Sequence, residues 1–315
     1  MIEYYSIVNH PTNKQGLLSI LQNTKADEVV ILSELEWEVP NITSEIVNEF
    51  KNKNVKLTVV LGSYDTLNCE ANIIYWPTFW INWTRENLKW VKVSDFDINL
   101  VKYPFISLNN RSHYHRCVFI DEMAKNNLID KGIVTWVKHL NENSNFPYNH
   151  FDNRQLLLND DFKQKLDSFL IPIEYNQSLF HVITEATHKS LFITEKTIIP
   201  TLLKKPYIVL GKEGFNRKLL DLGFKLYDEI FDYSFDSEPD IFKRTEMFVK
   251  NVEKLPKLDL QETYRILVPK IMYNYNRANE IANDHSFIPD IIKQCVKEND
   301  MTDSVYGRYH GFLNA

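Results

Sequence analysis

The chain has few glycines, 8 in 315 residues, and none of them lies in a phosphate-binding loop pattern. Phosphate-binding loops need several glycines close together, because a backbone without side chains can approach a phosphate closely. The sequence contains neither the GxGxxG nor the GxxxxGK pattern. It therefore gives no support to a kinase or to a dinucleotide-dependent oxidoreductase.

Cysteine is also scarce, and the three cysteines, Cys69, Cys117 and Cys295, lie far apart. An odd number of widely spaced cysteines indicates neither a disulfide framework nor a zinc site. We expect each of them to be a small buried apolar side chain.

Long hydrophobic runs are missing as well. No stretch approaches the ~18 apolar residues that a membrane-spanning helix needs, and Glu3 stands where a secretion signal carries positive charge. A net charge of −6 gives no overall basic surface for nucleic acid or for an anionic membrane. We expect a cytoplasmic protein without a membrane span, for which a nucleic-acid partner is not favoured.

What the chain does have is material for hydrophobic cores, since 44% of its residues are hydrophobic and 13% are aromatic. Its length predicts two domains. Short apolar runs alternate with helical patterns, which is typical of parallel sheets covered by helices on both faces. The predicted strands are Glu28–Leu32, Val55–Leu61, Asn72–Tyr75, Val101–Ser107 and Ile133–Trp136. The sequence therefore predicts an α/β protein of two Rossmann-like halves.

The domain boundaries follow from where this pattern begins again. We expect an N-terminal domain over residues 1–100 and a second domain over 101–270. Helical patterns cover Leu260–Asn283, with a kink or break expected near Pro269, and Phe287–Glu298. We expect residues 271–315 to form helices that pack back toward the N-terminal domain.

The segment Phe180–Gly211 carries the strongest functional signal. It places Glu185 and Glu195 around a turn rich in Ser, Thr, His and Lys, and Lys196 follows the second glutamate directly. The start of a helix offers free N–H groups and partial positive charge to a diphosphate. A lysine adds a full charge there, and a carboxylate accepts hydrogen bonds from ribose hydroxyls. The segment is therefore a candidate nucleotide-sugar site.

A second polar cluster, Ser107–Arg116, follows the first predicted strand of the second half. Ligands of open α/β sheets bind beyond the carboxyl ends of the strands. Arg111 and Arg116 lie in such a turn, and the arginine fork suits phosphate. We expect this turn to share an anion site with the turn that bears the glutamates. The alternative is a solvated turn whose arginines pair with Asp121 or Glu122.

The order of residues in Phe180–Gly211 resembles the donor-binding motif of family 10 glycosyltransferases, the α-1,3-fucosyltransferases and their bacterial and viral relatives. The spacing between the first glutamate and the Thr-Glu-Lys triplet is kept, whereas Ala186 stands where the family has asparagine. The Gly-Phe pairs at 214–215 and 223–224 resemble viral and bacteriophage members of the group. The matching residues of the motif are Phe180, Glu185, Phe192, Thr194, Glu195, Lys196 and the run Pro206 to Gly211.

The resemblance implies a fold of the GT-B type, in which two Rossmann-like domains face a central cleft. It implies transfer of a sugar from a nucleoside-diphosphate sugar, GDP-linked and fucose-like, to the hydroxyl of a glycan or other acceptor, with inversion. Fixed cations can stabilise the departing diphosphate, so no metal or other cofactor is expected. For a viral relative the expected location is the host cytoplasm.

The resemblance also implies roles for individual residues. Glu195 is similar to the glutamate that contacts the ribose, and Lys196 is similar to the lysine that meets the diphosphate. Arg116, with Arg111 as second choice, matches an arginine that binds phosphate. Glu185, Thr194 and His188 complete the predicted substrate-binding set. For His188 the alternative is a structural hydrogen bond to the turn.

An acceptor hydroxyl needs a general base, and a carboxylate from the N-terminal half is the expected one. Glu34 and Glu36 directly follow the strand pattern Glu28–Leu32. They are the predicted catalytic residues, and a pair of solvated loop acids is the plain alternative.

Two further functions stay open at this point. Ala186 and the lack of a clearly marked base favour a catalytically inactive module that binds nucleotide sugars or glycans. Some bacteriophage transferases modify DNA, so a hydroxymethylated base is an alternative acceptor, although the acidic charge balance does not favour it.

Overall fold

A computed structural model describes residues 1–6, 14–33, 42–65, 67, 69–77, 80–81, 84, 96–139, 143, 145–152, 154–158, 173–284, 289–291 and 293–294. The chain divides into two compact units, Met1–Thr78 with Asn283–Ala315, and Phe79–Ala282. The division thus lies between 78 and 79 and between 282 and 283, whereas the sequence predicts boundaries after 100 and 270. The segment before residue 100 belongs to the second unit because its aromatic side chains pack there, with Trp80 at 6.2 Å from Phe224 and Phe96 at 4.9 Å from Tyr264 between ring centroids.

The first unit contains one parallel sheet. Its strands lie side by side in chain order, β1-β2-β3-β4. They are β1 (Ile2–Ser6), β2 (Glu28–Ser33), β3 (Lys56–Leu61) and β4 (Asn72–Tyr75), and the described helices are α1 (Lys14–Asn23) and α2 (Ser44–Asn52).

Both faces of this first sheet are covered. Successive side chains of a strand point to opposite faces, so Val29 packs with buried residues of α1 and α2, whereas Val30 packs with Trp76 on the other face. Ile291, near the end of the chain, packs against that second face. The Tyr4 hydroxyl also donates a hydrogen bond to the Ile291 carbonyl at 3.3 Å. Residues from both ends of the chain therefore build this unit.

The second unit contains the other parallel sheet. Every residue of its strands β7 and β8 is buried, as expected where helices cover both faces of a parallel sheet. Its strands are β5 (Tyr103–Asn109), β6 (Ile133–Trp136), β7 (Ser178–Thr184) and β8 (Tyr207–Leu210). Its helices are α3 (Tyr114–Lys125), α4 (Glu195–Leu202), α5 (Phe215–Asp221), α6 (Ile241–Val252) and α7 (Leu260–Asn283).

The strand order of the second sheet is β6-β5-β7-β8, and all neighbours are parallel. From β5 the chain first adds β6 on one side and then returns to add β7 on the other side. The order therefore reverses at β5, which makes the carboxyl ends of β5 and β7 the topological switch point of this sheet. Open α/β sheets form their ligand crevice at such a point.

Helix α3 begins earlier than the sequence predicts. The apolar pattern indicates a helix over Cys117–Asn127, but the helix begins at Tyr114. The His113 carbonyl accepts hydrogen bonds from the N–H groups of Arg116 at 2.9 Å and Cys117 at 3.1 Å. The polar residues expected in a turn therefore form the first turn of a helix, where their positions are fixed.

Helix α7 continues through Pro269 instead of breaking there. Proline removes one hydrogen bond of the helix, but the buried residues Leu267 and Ile271 on either side hold the helix against the unit. Asn274 connects the helix to the backbone of Lys225. Its side chain accepts a hydrogen bond from the Lys225 N–H at 2.7 Å and donates one to the Lys225 carbonyl at 2.8 Å.

The two Gly-Phe pairs have a local structural reason. Gly214 and Gly223 have φ angles of 78° and 88°, a region that only glycine enters without strain. The phenylalanines that follow, Phe215 and Phe224, are 1% and 2% exposed and belong to the core. Each pair therefore turns the chain and anchors it.

The predicted α/β class is confirmed, with two four-stranded parallel sheets of Rossmann-like character and seven α-helices in the described ranges. None of the helices in this part of the chain is long and apolar enough to cross a membrane.

Candidate functional site

The two polar turns lie next to each other at the switch point of the second sheet. Thr184, the last residue of β7, donates its hydroxyl to the side-chain oxygen of Asn109, the last residue of β5, at 2.7 Å. The Arg116 guanidinium donates from Nη2 to the Glu185 carbonyl at 2.9 Å. His115 contacts the same carbonyl through Nε2 at 2.8 Å. The first turn of α3 therefore holds the turn after β7 in place through hydrogen bonds to the Glu185 carbonyl.

Glu185 is the internal anchor of the turn after β7. Its side chain is fully buried, and its carboxylate accepts four hydrogen bonds. Oε1 accepts from the Thr194 N–H at 3.0 Å and the Thr197 hydroxyl at 2.7 Å, and Oε2 accepts from the Thr194 hydroxyl at 2.6 Å and the Ala186 N–H at 2.7 Å. The carboxylate thus joins the start of the turn to the start of α4. With its oxygens bonded inside the protein, Glu185 supports the site instead of facing solvent.

Thr194 is the N-cap of α4, and its side-chain oxygen accepts from the Lys196 N–H at 3.3 Å. Threonine is a favoured cap because its oxygen satisfies one of the free N–H groups at a helix start. The same hydroxyl donates to Glu185. The predicted site residue Thr194 is therefore a structural part of the helix start, 2% exposed.

Glu195 and Lys196 occupy the first turn of α4 and remain accessible. Their side chains are 28% and 30% exposed, and Lys196 Nζ lies 2.6 Å from Glu195 Oε1. Burial opposes the charge of the Glu195 carboxyl, but the Lys196 side chain and, to a smaller extent, the Arg116 guanidinium outweigh it and lower its pKa. The Glu195 carboxyl is thus ionised at neutral pH, and it lies beside the Lys196 side chain at a helix start.

Arg116 and Arg111 differ in exposure. Arg116 is 3% exposed, and besides Glu185 it donates to the carbonyls of Thr184 at 3.3 Å and Arg111 at 3.4 Å. Arg111 is exposed in the turn before α3.

The two acids named as alternative partners of these arginines bind other groups. Asp121 accepts from the N–H groups of residues 149–151 at 2.8–3.1 Å, and Glu122 pairs with Lys125 at 3.0 Å.

His188 lies over the first turn of α3. Its Nδ1 is 3.3 Å from Nδ1 of His115, which is 1% exposed. The exposed ring of Tyr114 lies 6.3 Å from the His188 ring and contacts Phe146 and Phe242 edge-on at 5.7 and 6.0 Å. Aromatic rings and an imidazole therefore border the same end of the sheet as the Glu195–Lys196 pair.

Sequence reasoning missed two residues of this site, Asn109 and His115. Asn109 is a fully buried polar residue at the end of a strand, where its side chain links Thr184 and Ser107. A polar residue that ends an apolar strand was the available signal. His115 lies in a segment that the sequence predicts to be a polar turn, because the apolar pattern of α3 becomes visible only at Cys117.

The predicted catalytic acids Glu34 and Glu36 lie outside the described residues. Within the described ranges, no cluster of three or more His, Cys, Asp or Glu side chains could hold a metal ion.

No protein-family model, curated protein or solved structure matches the chain. The resemblance to family 10 glycosyltransferases therefore stays a prediction from the motif residues.

Proposed function

We propose that the protein is a glycosyltransferase of the GT-B type that binds a nucleoside-diphosphate sugar at the switch point of its second sheet. The sugar passes to a hydroxyl acceptor, with inversion and without a metal. The donor we favour is GDP-linked and fucose-like, and the protein acts in the cytoplasm, or in a host cytoplasm if it is viral.

One observation carries this proposal. The accessible ion pair Glu195–Lys196 lies at the start of α4, the helix that comes after β7 and its turn at the switch point. A diphosphate at this position would meet an ammonium and the positive end of the helix, and a ribose would meet a carboxylate. A ligand that carries both groups can replace the contact between Glu195 and Lys196 with contacts of its own.

The buried residues have a different part in the proposed site. Arg116 and Glu185 hold the turn after β7 against α3 and α4, so that the accessible pair keeps its position. The charge of Arg116 also adds, to a smaller extent than Lys196, to the lowering of the pKa of Glu195. We propose that Arg116 adds positive potential below the diphosphate, and that exposed Arg111 is the arginine that can reach it directly.

The proposal predicts that Lys196→Ala weakens the binding of GDP by about 10- to 30-fold, since removing one charge-assisted contact costs about 1.5–2 kcal/mol. Lys189→Ala is the matched control, because Lys189 is an exposed lysine of the same turn but does not belong to the helix start. Calorimetric titration with GDP and GDP-fucose measures both variants. Glu195→Gln tests the proposed ribose contact by the same calorimetric titration. Guanine, which lacks ribose, is the ligand whose binding this substitution should leave unchanged.

Equal affinities of the wild-type protein and of Lys196→Ala would contradict the proposed donor site. Donor binding without release of GDP, with any acceptor tried, would instead identify the inactive binding module. Tight, strongly salt-dependent binding of duplex DNA would favour the nucleic-acid acceptor.

A further inference from the structure

We infer that His188 is the proton acceptor of this site and that His115 is a positioning residue that fixes its tautomer. This inference rests on the proposed function for its chemical consequence, but its structural part stands on the contacts alone. The general base then belongs to the second unit and not, as the sequence predicts, to the first.

The first step concerns the proton on His115. Its Nε2 lies 2.8 Å from the backbone carbonyl oxygen of Glu185. A carbonyl oxygen can only accept, so Nε2 must carry the proton and donate. Burial and the neighbouring Arg116 charge lower the pKa of His115 well below its usual value, so that the ring is neutral. A neutral ring with its proton on Nε2 has a lone pair on Nδ1.

The second step concerns His188. Its Nδ1 lies 3.3 Å from this lone pair, and two nitrogens at this distance need one proton between them. His115 does not supply it, so His188 carries its proton on Nδ1. The lone pair of a neutral His188 is then on Nε2. No hydrogen bond involves that atom within the described part of the chain, and His188 is partly exposed.

The charges around His188 keep it neutral. Burial is the largest cause of the lowered pKa of His188, and Lys189 of the same turn and Arg244 of α6 add to it. Tyr114 and His115 face it from α3. Burial and the charges of Lys189 and Arg244 disfavour an additional positive charge on His188. A neutral imidazole with an accessible lone pair is the form that a general base requires.

The proposed step balances as follows. The acceptor oxygen, of a sugar hydroxyl or of water, forms a bond to the anomeric carbon, and its proton moves to Nε2 of His188. The bond between the anomeric carbon and the diphosphate breaks, and its electron pair leaves with the diphosphate. Lys196 faces the charge that develops there, and His188 returns its proton to solvent afterwards.

The tautomers can be tested without any substrate. Long-range ¹H–¹⁵N correlation spectra of the histidine-labelled protein report which ring nitrogen carries the proton. We expect His188 protonated on Nδ1 and His115 on Nε2 at pH 7. In His115→Phe, His188 should lose this fixed form, whereas His115→Asn should retain it, because the asparagine oxygen can accept from His188 Nδ1. A wild-type His188 protonated on Nε2 would overturn the inference.

The chemical role is tested by release of GDP from GDP-fucose with water as acceptor. His188→Gln should lower kcat by about 10²-fold or more, while calorimetry shows donor affinity within about threefold of wild type. The wild-type rate should fall at acidic pH, because protonation fills the lone pair, and burial moves this decline below the usual histidine pKa of about 6.5. That acidic decline should be absent from the residual rate of His188→Gln. His150→Gln, which changes an exposed histidine, is the control.

The two proposals fail in different ways. If GDP-fucose does not bind, the donor assignment is wrong, and the tautomer measurement still decides the arrangement of the histidine pair. If the donor binds and reacts but His188→Gln retains the wild-type rate and pH profile, His188 is not the base. If His115→Phe lowers the thermal midpoint without changing the His188 tautomer, His115 is structural only, and its assignment as a positioning residue fails.

Discussion

Replacing Glu185 by alanine should lower the free energy of unfolding by about 4 kcal/mol, one of the largest effects expected of any single change in the second unit. The substitution removes a fully buried carboxylate and leaves the N–H groups of Thr194 and Ala186 and the hydroxyls of Thr194 and Thr197 without their acceptor. Buried donors without partners cost about 1–3 kcal/mol each before any relaxation.

Glu185→Gln is the sharper test. It keeps the shape of the side chain but turns one oxygen into an N–H₂ group, which then faces donors such as the Thr194 or Ala186 N–H. We expect the free energy of unfolding to fall by about 2–3 kcal/mol, which is less than the loss expected for Glu185→Ala. Glu262→Gln is the matched control, because Glu262 lies on the surface of α7 in an exposed pair with Arg265. Chemical denaturation measures all three variants.

The Glu185 variants should impair the binding of GDP more than they disturb the structure of the rest of the second unit. The carboxylate joins the turn after β7 to the start of α4, and the accessible pair Glu195–Lys196 begins that helix. Loss of GDP binding at a temperature where circular dichroism shows an intact fold is the expected result. A variant that binds GDP normally and denatures like wild type would show that this network does not hold the site.

Lys205 should make the protein more stable as the pH rises from 7 to 9. Its side chain is fully buried, donates to the carbonyls of Tyr175 and Ser178, and lies over the Phe96 ring with Nζ 4.0 Å from the centroid. Burial disfavours the ammonium and lowers the pKa of Lys205 to about 7. A neutral amine has two N–H donors, which match the two carbonyls.

The sign of this effect follows from proton binding. In the unfolded chain a lysine has a pKa of about 10.4, so between pH 7 and that value the unfolded state holds more protons than the folded state. Stability then rises with pH. Below pH 7 both states are protonated, and the cost of the buried ammonium is fully present. For a folded-state pKa of about 7, the gain from pH 7 to pH 9 is about 2 kcal/mol.

Comparison with Lys205→Met isolates the contribution of Lys205 to the pH dependence of stability from that of the other titrating residues. We expect the difference in unfolding free energy between wild type and Lys205→Met to change by about 2 kcal/mol from pH 7 to pH 9. His181 and Tyr175 lie beside the amine, and burial lowers the pKa of His181 and raises that of Tyr175. They are therefore neutral throughout this range. Lys243→Met, on the exposed face of α6, is the control, and an equal pH dependence of the two variants would contradict the prediction.

The alternation of strands and helices could be read from the sequence, because it depends on neighbouring residues. Apolar runs such as Asn72–Tyr75 and Ile133–Trp136 have the bounds that the sequence predicts. The predicted bounds are wrong where apolar and polar residues mix. An example is the start of α3, whose first turn belongs to the site. The position of Glu195 and Lys196 at a helix start also follows from local sequence, since Thr194 is a good N-cap.

The sequence by itself determined that this chain forms parallel α/β units and that polar turns follow two of its strands. Only the tertiary structure decided that those turns meet, because the strand order reverses at β5 and brings the ends of β5 and β7 together. It also decided that Glu185 and Arg116 are buried supports and that His115 and His188, 73 positions apart, form a pair. Contacts between distant residues depend on strand order and burial, and neither is contained in a local pattern of residues.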